Sequence, residues 1–560
     1  MRTGLFGIAG TTSVPSFSDA LVVSGPERHA AFGVDRPVHA VQRSVLRERQ
    51  GKVYGAHGVW LNGPSWEWDD ESCHKTLAKC MSAPEVFDIV EGPLQGFMWD
   101  NKAQTLHLHA DFARQHPLFW TPMKDGVAFA YSVDKLVELM KGHGVEVVPD
   151  ETSAALLLTY GSILGDGTLV RGVRKLMPGH SLQWSLEGMQ TSERQPLAQI
   201  KKDVHFMAEA VELLDRTFTA ATQAMVDCNL NAGCTQHHLL SGGLDSRMVA
   251  MVASEVVQAG KVSSLCFSAQ GSRDESISAS IARQRGWAHT QVDLGPGAYL
   301  CITESWKEYD GCVNYLASAH HRWALSKASL DKVGLLGSGQ GANVLLTDRH
   351  KWGLSGGALL RGMTLYHGVR TQAEPAALQA WAQVQDPQVF KVVNRGFLYT
   401  NSGAYSTCDY GVLWSPFTSR EFVRSALRLS RDLVEDQQAY LTWMAERHPE
   451  ATKDPWERYG VRPLLGWRLR LAQAWALTLA RIRRWVPLAS KGGMSPIQQW
   501  HDASPEIQDF YTESFATHRS TLQHFPNLRP QVERDFESMS VMNKASVLTL
   551  LLASQTWFDA

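Results

Sequence analysis

The sequence predicts an α+β sandwich followed by an α/β domain with a parallel sheet and a helical C-terminal part. Short β-rich runs separated by turn residues fill about the first 200 residues, and strand-like runs alternate with helix-like runs from about residue 205 onward. Antiparallel layers produce the first pattern, and parallel sheets with crossover helices produce the second. After Glu421 the pattern is almost entirely helical.

The N-terminal strands are predicted from β-rich runs between turn residues. These strands are Gly4–Ile8, Val53–Trp60, Gly96–Trp99, Thr105–His109, Gly126–Tyr131 and Ser181–Trp184. The polar stretch Ser192–Asp203 contains the predicted boundary, which divides the chain into domains of residues 1–200 and 201–560.

A glycine turn stands between a predicted strand and a predicted helix. The residues Ser241-Gly242-Gly243-Leu244-Asp245-Ser246 follow the apolar run His238–Leu240 and precede the helical pattern Arg247–Glu255. Glycines let the backbone approach a ligand, and N–H groups at a helix start bind phosphate oxygens. Asp245 adds a carboxylate suited to Mg²⁺. The sequence contains no G-x-x-x-x-G-K-[ST], so this turn is a phosphate loop of another type.

The segments that follow predict a parallel sheet around this turn. Further strands are predicted at Val262–Phe267, Gln291–Asp293 and Lys332–Leu336, with a helix at Asp274–Gly286. Ligands of such sheets bind at the carboxyl ends of the strands. The glycine turn and the loop Gly337–Gly341 lie at two of these ends, which predicts a nucleotide site between them.

Composition excludes several classes of protein. The net charge of −2 over 560 residues does not indicate a nucleic-acid partner, and the eight cysteines contain no CxxC pair, as in a reduced cytoplasmic protein. The start lacks the apolar stretch of a signal peptide, and no run approaches the ~18 apolar residues of a membrane span. Trp475–Pro487 is basic and apolar, and we interpret it as a partly buried helix rather than a membrane-surface helix.

Motifs in both halves resemble the glutamine-hydrolysing asparagine synthetases and their relatives. Thr3–Ile8 is similar to their C-G-I-F-G-I start, and Asp111–Trp120 resembles their R-D-x-x-G-x-x-P-L-Y-Y stretch. The S-G-G-L-D-S turn is similar to the pyrophosphatase loop (PP-loop) of enzymes that split ATP into AMP and pyrophosphate. The resemblance implies an Ntn-hydrolase-like class II amidotransferase sandwich, then a PP-loop synthetase domain that uses ATP and Mg²⁺.

The first departure from this family lies at the amidotransferase nucleophile. The family uses an N-terminal Cys whose free α-amine serves as the base. Thr3 stands at that position, and Met1-Arg2 precede it. Because Met removal needs a small second residue, we expect no N-terminal nucleophile and no glutamine hydrolysis.

The second departure lies in the S-G-E-G-x-D motif of the synthetase half. This chain has Gln340 in place of the Glu and Asn343 in place of the Mg²⁺-binding Asp. A Gln cannot shuttle a proton, and an Asn carbonyl is a weaker Mg²⁺ ligand than a carboxylate. In an alternative alignment, with a shorter loop, Asp348 would complete the metal site. The intact PP-loop and Asp245 nevertheless favour a working ATP site, with Asp245 and Asn343 as metal ligands.

The two departures together favour one branch of relatives. β-Lactam synthetases and the macrolactam synthetases of lasso peptides lack the Cys and use an amine already present in the substrate. Gly339–Leu345 and Asp454–Arg462 resemble stretches of the lasso peptide cyclases. We therefore expect a cyclase that adenylates an Asp or Glu side chain of a leader-free precursor peptide and joins it to the N-terminal amine, with a leader peptidase of the same pathway as a partner.

The resemblance implies roles for individual residues. Lys491 is the candidate for the lysine that stabilises the adenylation and acyl-transfer transition states. Glu457 and Tyr459 form a further hypothesis for an amine-deprotonating pair, although two residues apart they would not share a helix face. The expected ATP- and pyrophosphate-binding residues are Leu240, Ser241, Gly242, Gly243, Leu244, Asp245, Ser246, Phe267, Ser268, Asp274, Ser338, Gly339 and Gln340.

Two other classes of function stay open. A β-lactam synthetase-like or asparagine synthetase-like ligase would share the adenylation but need a compact pocket for a small amino acid. A non-catalytic homologue would keep the fold and bind a partner without ATP turnover.

Overall fold

The fold is seen in a computed structural model of the chain. The structure describes residues 3–11, 21–24, 28–61, 91–193, 196–257, 262–300, 302–317, 319–347, 355–403, 407–482 and 494–559.

The N-terminal domain is a sandwich of two antiparallel sheets. Among the described residues, the first sheet has the strand order β10-β8-β9-β1-β3-β2 and the second has the order β12-β11-β7-β6-β5-β4. The bounds are β1 Leu5–Thr11, β2 Leu21–Ser24, β3 His29–Val34, β4 Arg43–Arg49, β5 Lys52–Gly58, β6 Leu94–Asp100, β7 Thr105–His109, β8 Phe119–Pro122, β9 Val127–Ala130, β10 Arg174–Lys175, β11 His180–Ser185 and β12 Gly188–Glu193.

Aromatic side chains from the facing strands hold the sandwich together. Phe32 of the first sheet contacts Phe97 and Trp99 of the second, with ring centroids 4.6 and 6.3 Å apart. Alternate residues of these strands point into this core, as the strand period of two requires. The other face of the first sheet is covered by α1 (Val133–Gly142), since Phe6 and Ile8 share a buried cluster with Leu136.

The second domain is built on a parallel sheet with the order β15-β14-β13-β16-β17 among the described residues. Almost all residues of β13, β14, β16 and β17 are buried, as in a parallel sheet with helices on its faces, although β13 and β14 include polar side chains. The carboxyl ends of β13, β14 and β16 meet at one edge, where Leu240, Ser268 and Ser338 lie. The bounds are β13 Gln236–Leu239, β14 Val262–Ser268, β15 Ala288–Asp293, β16 Leu335–Gly337 and β17 Val412–Trp414.

Helices make up most of the remaining chain. The helix that follows the glycine turn and the helix of the next crossover are α4 and α5, and both position the site. The bounds are α2 Glu151–Tyr160, α3 Met207–Asn231, α4 Leu244–Val256, α5 Arg273–Arg285, α6 Ile302–Glu308, α7 Ala319–Lys327, α8 Gly356–Met363, α9 Arg370–Ala382, α10 Pro387–Lys391, α11 Arg420–Arg428, α12 Arg431–Val434, α13 Gln438–Arg447, α14 Trp467–Ile482, α15 Ile497–Ala503, α16 Pro505–His518, α17 Arg529–Asp535 and α18 Val541–Phe558.

The predicted strands are present with shifted ends, but several observed strands were missed. The predicted strand Lys332–Leu336 begins only at Leu335. The strands without a counterpart in the prediction are β2, β3, β4, β8, β10, β12 and β17. The sequence predicts a partly buried helix at Trp475–Pro487. Its described part belongs to a helix that begins earlier, at Trp467, and has one buried side, since Leu469 is 2% exposed while Trp475 is 63% exposed. Residues 483–487 lie outside the described part. None of the described helices combines the length and apolar composition that a membrane crossing requires.

A loop of the N-terminal domain makes a hydrogen-bonded contact with the second domain. The buried Asp111 carboxylate accepts hydrogen bonds from the N–H groups of Ala113, Gln115 and His116 at 3.1, 2.9 and 2.8 Å. The loop shaped in this way presents the Ala113 carbonyl to the Asn401 amide at 2.9 Å. One carboxylate therefore orders the backbone that contacts the second domain.

We expect Asp111→Ala to lower the unfolding temperature, because three buried N–H donors lose their acceptor and each unsatisfied donor costs about 1–3 kcal/mol. Thermal unfolding followed by circular dichroism measures the effect. Asp227→Ala, which removes an exposed aspartate at the end of α3, is the matched control and should change stability by less than about 0.5 kcal/mol. Equal effects of the two substitutions would contradict this assignment.

Candidate nucleotide-binding site

A cavity of 820 Å³ opens at the carboxyl ends of the parallel strands. The glycine turn after β13, the loop after β16 and residues 456–458 form three of its sides. Open α/β sheets bind their ligands in this crevice.

The glycine turn is held in shape by side-chain acceptors. The Ser246 hydroxyl accepts the Ser241 N–H at 3.0 Å, and the Ser241 hydroxyl accepts the Gly243 N–H at 3.1 Å. The Gly242 N–H donates to Asp274 Oδ1 at 3.0 Å. Gly243 is the N-cap of α4, so the first N–H groups of that helix face the cavity side of the turn without an intrahelical acceptor. Such an end attracts phosphate oxygens.

The buried Arg247 guanidinium fixes this turn to a distant segment of the chain. It donates to the Gly242 carbonyl at 2.9 Å and to the carbonyls of Ala451, Asp454 and Pro455 at 3.1, 3.0 and 2.8 Å. The Glu457 N–H donates to the same Gly242 carbonyl at 3.3 Å. Residues 451–457 are thereby docked beneath the turn, and Glu457 reaches the cavity.

Three carboxyl groups converge on the turn. Burial raises the pKa of Asp245 to about 7, although the Tyr440 hydroxyl donates to Asp245 Oδ1 at 2.9 Å and opposes the shift. Burial raises the pKa of Glu457 to about 7, and the nearby charge of Asp274 adds to this shift. Burial also raises the pKa of Asp274. Ionised carboxylates so close together require a compensating cation.

Glu457 is the member of this group with an unused acceptor. Its Oε2 atom is buried and has no hydrogen-bond partner among the described residues. The side chain lies against the glycine turn, since a Cβ at Gly242 would come within 2.8 Å of Glu457 Cβ. A buried acceptor of this kind is positioned to take a hydrogen bond or a proton from a ligand.

The loop after β16 packs directly on the start of α4. A Cβ at Gly339 would stand 2.4 Å from the Ser246 backbone nitrogen, so only glycine fits there. The loop is anchored by the Ser338 N–H, which donates to the Trp414 carbonyl at 2.9 Å, and by the Ser415 hydroxyl, which donates to the Gln340 carbonyl at 2.6 Å. The two loops form one continuous wall.

An aromatic surface also lines the cavity. The rings of His320 and His321 are 4.3 Å apart, and the Phe267 ring lies 5.7 and 5.0 Å from them. Burial lowers the pKa of His320 to about 4 and that of His321 well below its usual value, so both rings are neutral near pH 7. A neutral aromatic wall suits a purine base.

The residues present fit a magnesium ion that arrives with a nucleotide. Mg²⁺ is usually held by one or two carboxylates together with substrate phosphates and water. Asp245 offers such a carboxylate, and Asn343 lines the same cavity. The described residues contain no group of three or more His, Cys, Asp or Glu side chains that could hold a metal unaided. The phosphates would therefore have to supply part of the coordination.

Most of the residues predicted for the site line this one cavity. They are Leu240, Ser241, Gly243, Leu244, Asp245, Ser246, Phe267, Asp274, Ser338, Gly339, Gln340 and Asn343. Gly242 supports the turn from behind. Ser268 is fully buried, and its hydroxyl accepts hydrogen bonds from Ser272 and Gln291. Lys491 and Asp348 lie outside the described residues, so their roles stay predictions.

The sequence analysis did not find several cavity residues. His320 and His321 stand on α7 without a recognisable motif, and Arg273 and Arg395 are single basic residues in unrelated helical segments. Arg247 was read only as part of a helix. Its position directly after the PP-loop is the signal that could have identified it.

The position expected for the amidotransferase nucleophile lies in the other domain. The Thr3 hydroxyl is 3.2 Å from His57 Nε2, and the Ser44 hydroxyl is 2.7 Å from His57 Nδ1. Burial lowers the pKa of His57 to about 4, so the ring is neutral near pH 7. The arrangement presents a hydroxyl group and a neutral imidazole, without a thiol.

Comparison with known proteins agrees with this architecture. Residues 78–195 match the family model described as "Glutamine amidotransferase domain", and residues 214–447 match the one described as "Asparagine synthase". No match to a curated protein was found.

Two solved structures are among those that match. One is a glutamine phosphoribosylpyrophosphate amidotransferase from B. subtilis complexed with ADP and GMP, 10% identical over 47% of this chain and 76% of that chain, with a TM-score of 0.20. The other, titled an allosteric regulatory enzyme of purine biosynthesis, is 12% identical over 54% of this chain and 77% of that chain, with a TM-score of 0.23. By its two family matches, this chain carries an Ntn-type class II glutamine amidotransferase domain followed by a PP-loop asparagine synthase domain with a helical C-terminal part.

Proposed function

We propose that this protein is an AMP-forming amide ligase that closes a macrolactam in a peptide, as lasso peptide cyclases do. The asparagine synthase domain indicates an ATP-dependent, amide-forming ligase. The proposal that the product is a macrolactam depends on the contrast between the ATP-site cavity of the second domain and the amidotransferase site of the first. The synthetase cavity keeps a PP-loop with Asp245 and Glu457 beside it, whereas the amidotransferase position holds the Thr3 hydroxyl.

The first step is adenylation of a side-chain carboxylate of the substrate. The carboxylate oxygen attacks the α-phosphorus of ATP, the bond to the β-phosphate bridge breaks, and pyrophosphate leaves. Ser241, Ser246 and the first N–H groups of α4 bind the pyrophosphate oxygens. Mg²⁺ bound with ATP at Asp245 would neutralise charge on this leaving group. The His320–His321 wall and Phe267 flank the adenine.

The second step is attack of the substrate amine on the acyl-adenylate. A new amide bond forms, the acyl–phosphate bond breaks, and AMP leaves with its negative charge. The amine loses one proton in this step, and the unpartnered Oε2 of Glu457 accepts it. A pKa of about 7 suits Glu457 to this role, because a general base works best when its pKa is near the operating pH.

The amine comes from the substrate itself. An α-amine freed by removal of a leader has a reference pKa of ~7.7–8.0, so a sizeable fraction is neutral near pH 8. Holding it beside the activated carboxyl makes the reaction intramolecular, which can lower the barrier by ~7–11 kcal/mol. The cavity volume of 820 Å³ leaves room for a peptide turn beside the nucleotide.

Two other functions would use the same cavity differently. A small-molecule ligase of the β-lactam synthetase or asparagine synthetase type would accept a free amino acid. A non-catalytic homologue would bind a partner without turning over ATP. The tests below examine the proposed steps and separate these functions.

Asp245→Ala should lower ATP–pyrophosphate exchange by at least about 100-fold, because it removes the carboxylate that would hold the Mg²⁺ needed to neutralise charge on the leaving pyrophosphate. The exchange assay with a candidate precursor and Mg²⁺ measures it. Asp432→Ala, which removes an exposed aspartate, should retain full exchange. Formation of ADP by the wild type, or full activity of Asp245→Ala, would overturn the PP-loop assignment.

Glu457→Gln should separate the two steps. We expect exchange to persist while amide formation falls by about 10²–10⁴-fold, since only the second step needs a base. Loss of both steps to the same extent would contradict the role in amine attack.

The same variant should also change the pH dependence of stability without nucleotide. The native pKa of Glu457 is raised to about 7, so the native state loses stability as the pH rises from the unfolded-state pKa through about 7. Gln does not titrate, so the melting temperature of Glu457→Gln should exceed that of the wild type by a few degrees near about pH 8 and not near about pH 4. Glu446→Gln, at an exposed site on α13, should show no such crossover.

The product should be lighter than the linear core peptide by one water and resistant to aminopeptidase, as mass spectrometry can show. No glutamate should be released from glutamine, and Thr3→Ala should leave product formation unchanged. Incorporation of nitrogen from glutamine or ammonia would instead support an asparagine synthetase-like ligase.

A further inference from the structure

Helix α14 (Trp467–Ile482) carries an apolar stripe on its outward side. Trp467, Leu471 and Trp475 are 68%, 60% and 63% exposed. They are spaced four residues apart, so their side chains lie within about 80° of one another around the helix axis. Exposed apolar residues scattered singly are ordinary, but a contiguous stripe with two tryptophans marks a contact surface.

The opposite side of the same helix packs on the protein. Leu469 is 2% exposed, and Ala476 and Leu479 line the ATP cavity. The apolar stripe is therefore not the face by which the helix is folded onto the domain. The three stripe residues span about 12 Å along the helix axis at 1.5 Å per residue, so the stripe is a short, convex ridge beside the cavity.

The charge around the stripe has one sign. Residues 458–482 contain five arginines and no Asp, Glu or Lys. Arg470 and Arg481 lie beside the stripe on one flank and Arg468 on the other, as the helical period requires. All three are exposed, and none forms an ion pair with an acidic side chain of the described residues. Other surface arginines, such as Arg285 and Arg447, do have acidic partners.

We propose that this stripe docks the protein on an anionic lipid surface, with α14 lying in the plane of the interface. Amphipathic helices with Trp and Leu on one face and Arg beside them bind membranes in this way, with the apolar face buried by about 5–10 Å. Tryptophan rings suit the headgroup level of a bilayer, and arginines attract anionic headgroups. A convex ridge meets a flat surface readily, whereas a peptide partner gains buried area mainly in a groove. No membrane-spanning segment is needed.

The test measures binding of the purified full-length chain to vesicles of phosphatidylcholine alone and to vesicles that also contain phosphatidylglycerol. We expect sedimentation with the anionic vesicles only, and release when salt shortens the screening length below about 10 Å. The variant Trp467→Ser/Trp475→Ser should bind at least about tenfold less. Arg470→Gln/Arg481→Gln should weaken binding by about fivefold per arginine, as expected for a basic residue near an anionic surface.

Phe206→Ser is the matched control, because Phe206 is 74% exposed and lies at the start of α3, outside the stripe. It should bind vesicles like the wild type. Failure of the wild type to bind anionic vesicles, or equal binding by the double tryptophan variant, would overturn the proposal. Concentration-dependent dimers that this variant abolishes, without vesicle binding, would instead assign the stripe to a second copy of the chain. ATP–pyrophosphate exchange without vesicles tests the proposed function separately.

Discussion

The geometry of the candidate site depends on the buried guanidinium of Arg247. Its four carbonyl acceptors belong to two segments more than 200 residues apart in sequence: the PP-loop and residues 451–455. Hydrogen bonds from a charged donor contribute about 1.5–3 kcal/mol each, and a planar guanidinium can satisfy several acceptors at once where lysine cannot. Glu457 stands at the end of the docked segment, so its approach to the nucleotide loop follows from this one side chain.

The carboxyl groups around the loop show how the site departs from a stability optimum. Asp245, Asp274 and Glu457 are buried near one another, and burial raises the pKa of each. Hydrophobic residues of similar size would pack there without this penalty. Under the proposed function these carboxyl groups would meet a cation and a basic amine, and buried groups with raised pKa values are typical of active sites.

Local patterns in the sequence predict many of the strands and helices, but they do not predict contacts between residues that are far apart in the sequence. The strand at Thr105–His109 and the helix after Ser246 follow from apolar periodicity and turn residues, which act over a few positions. The glycine turn also predicted the cavity edge. His320, His321 and the Arg247 contacts depend on pairings between distant segments, which no local pattern records. The family resemblance implied that Ser268 binds ATP, but its hydroxyl is buried and accepts hydrogen bonds from Ser272 and Gln291.

The close approach of Gly339 to the Ser246 nitrogen has a thermodynamic consequence. Because the loop after β16 and the start of α4 touch backbone to backbone, neither can shift by a fraction of an ångström without displacing the other. A ligand that orders one loop therefore reduces the conformational entropy that is lost when a second ligand orders the other loop. Thermodynamic linkage makes this effect mutual. If the bound peptide raises the affinity for nucleotide by some factor, bound nucleotide raises the affinity for the peptide by the same factor.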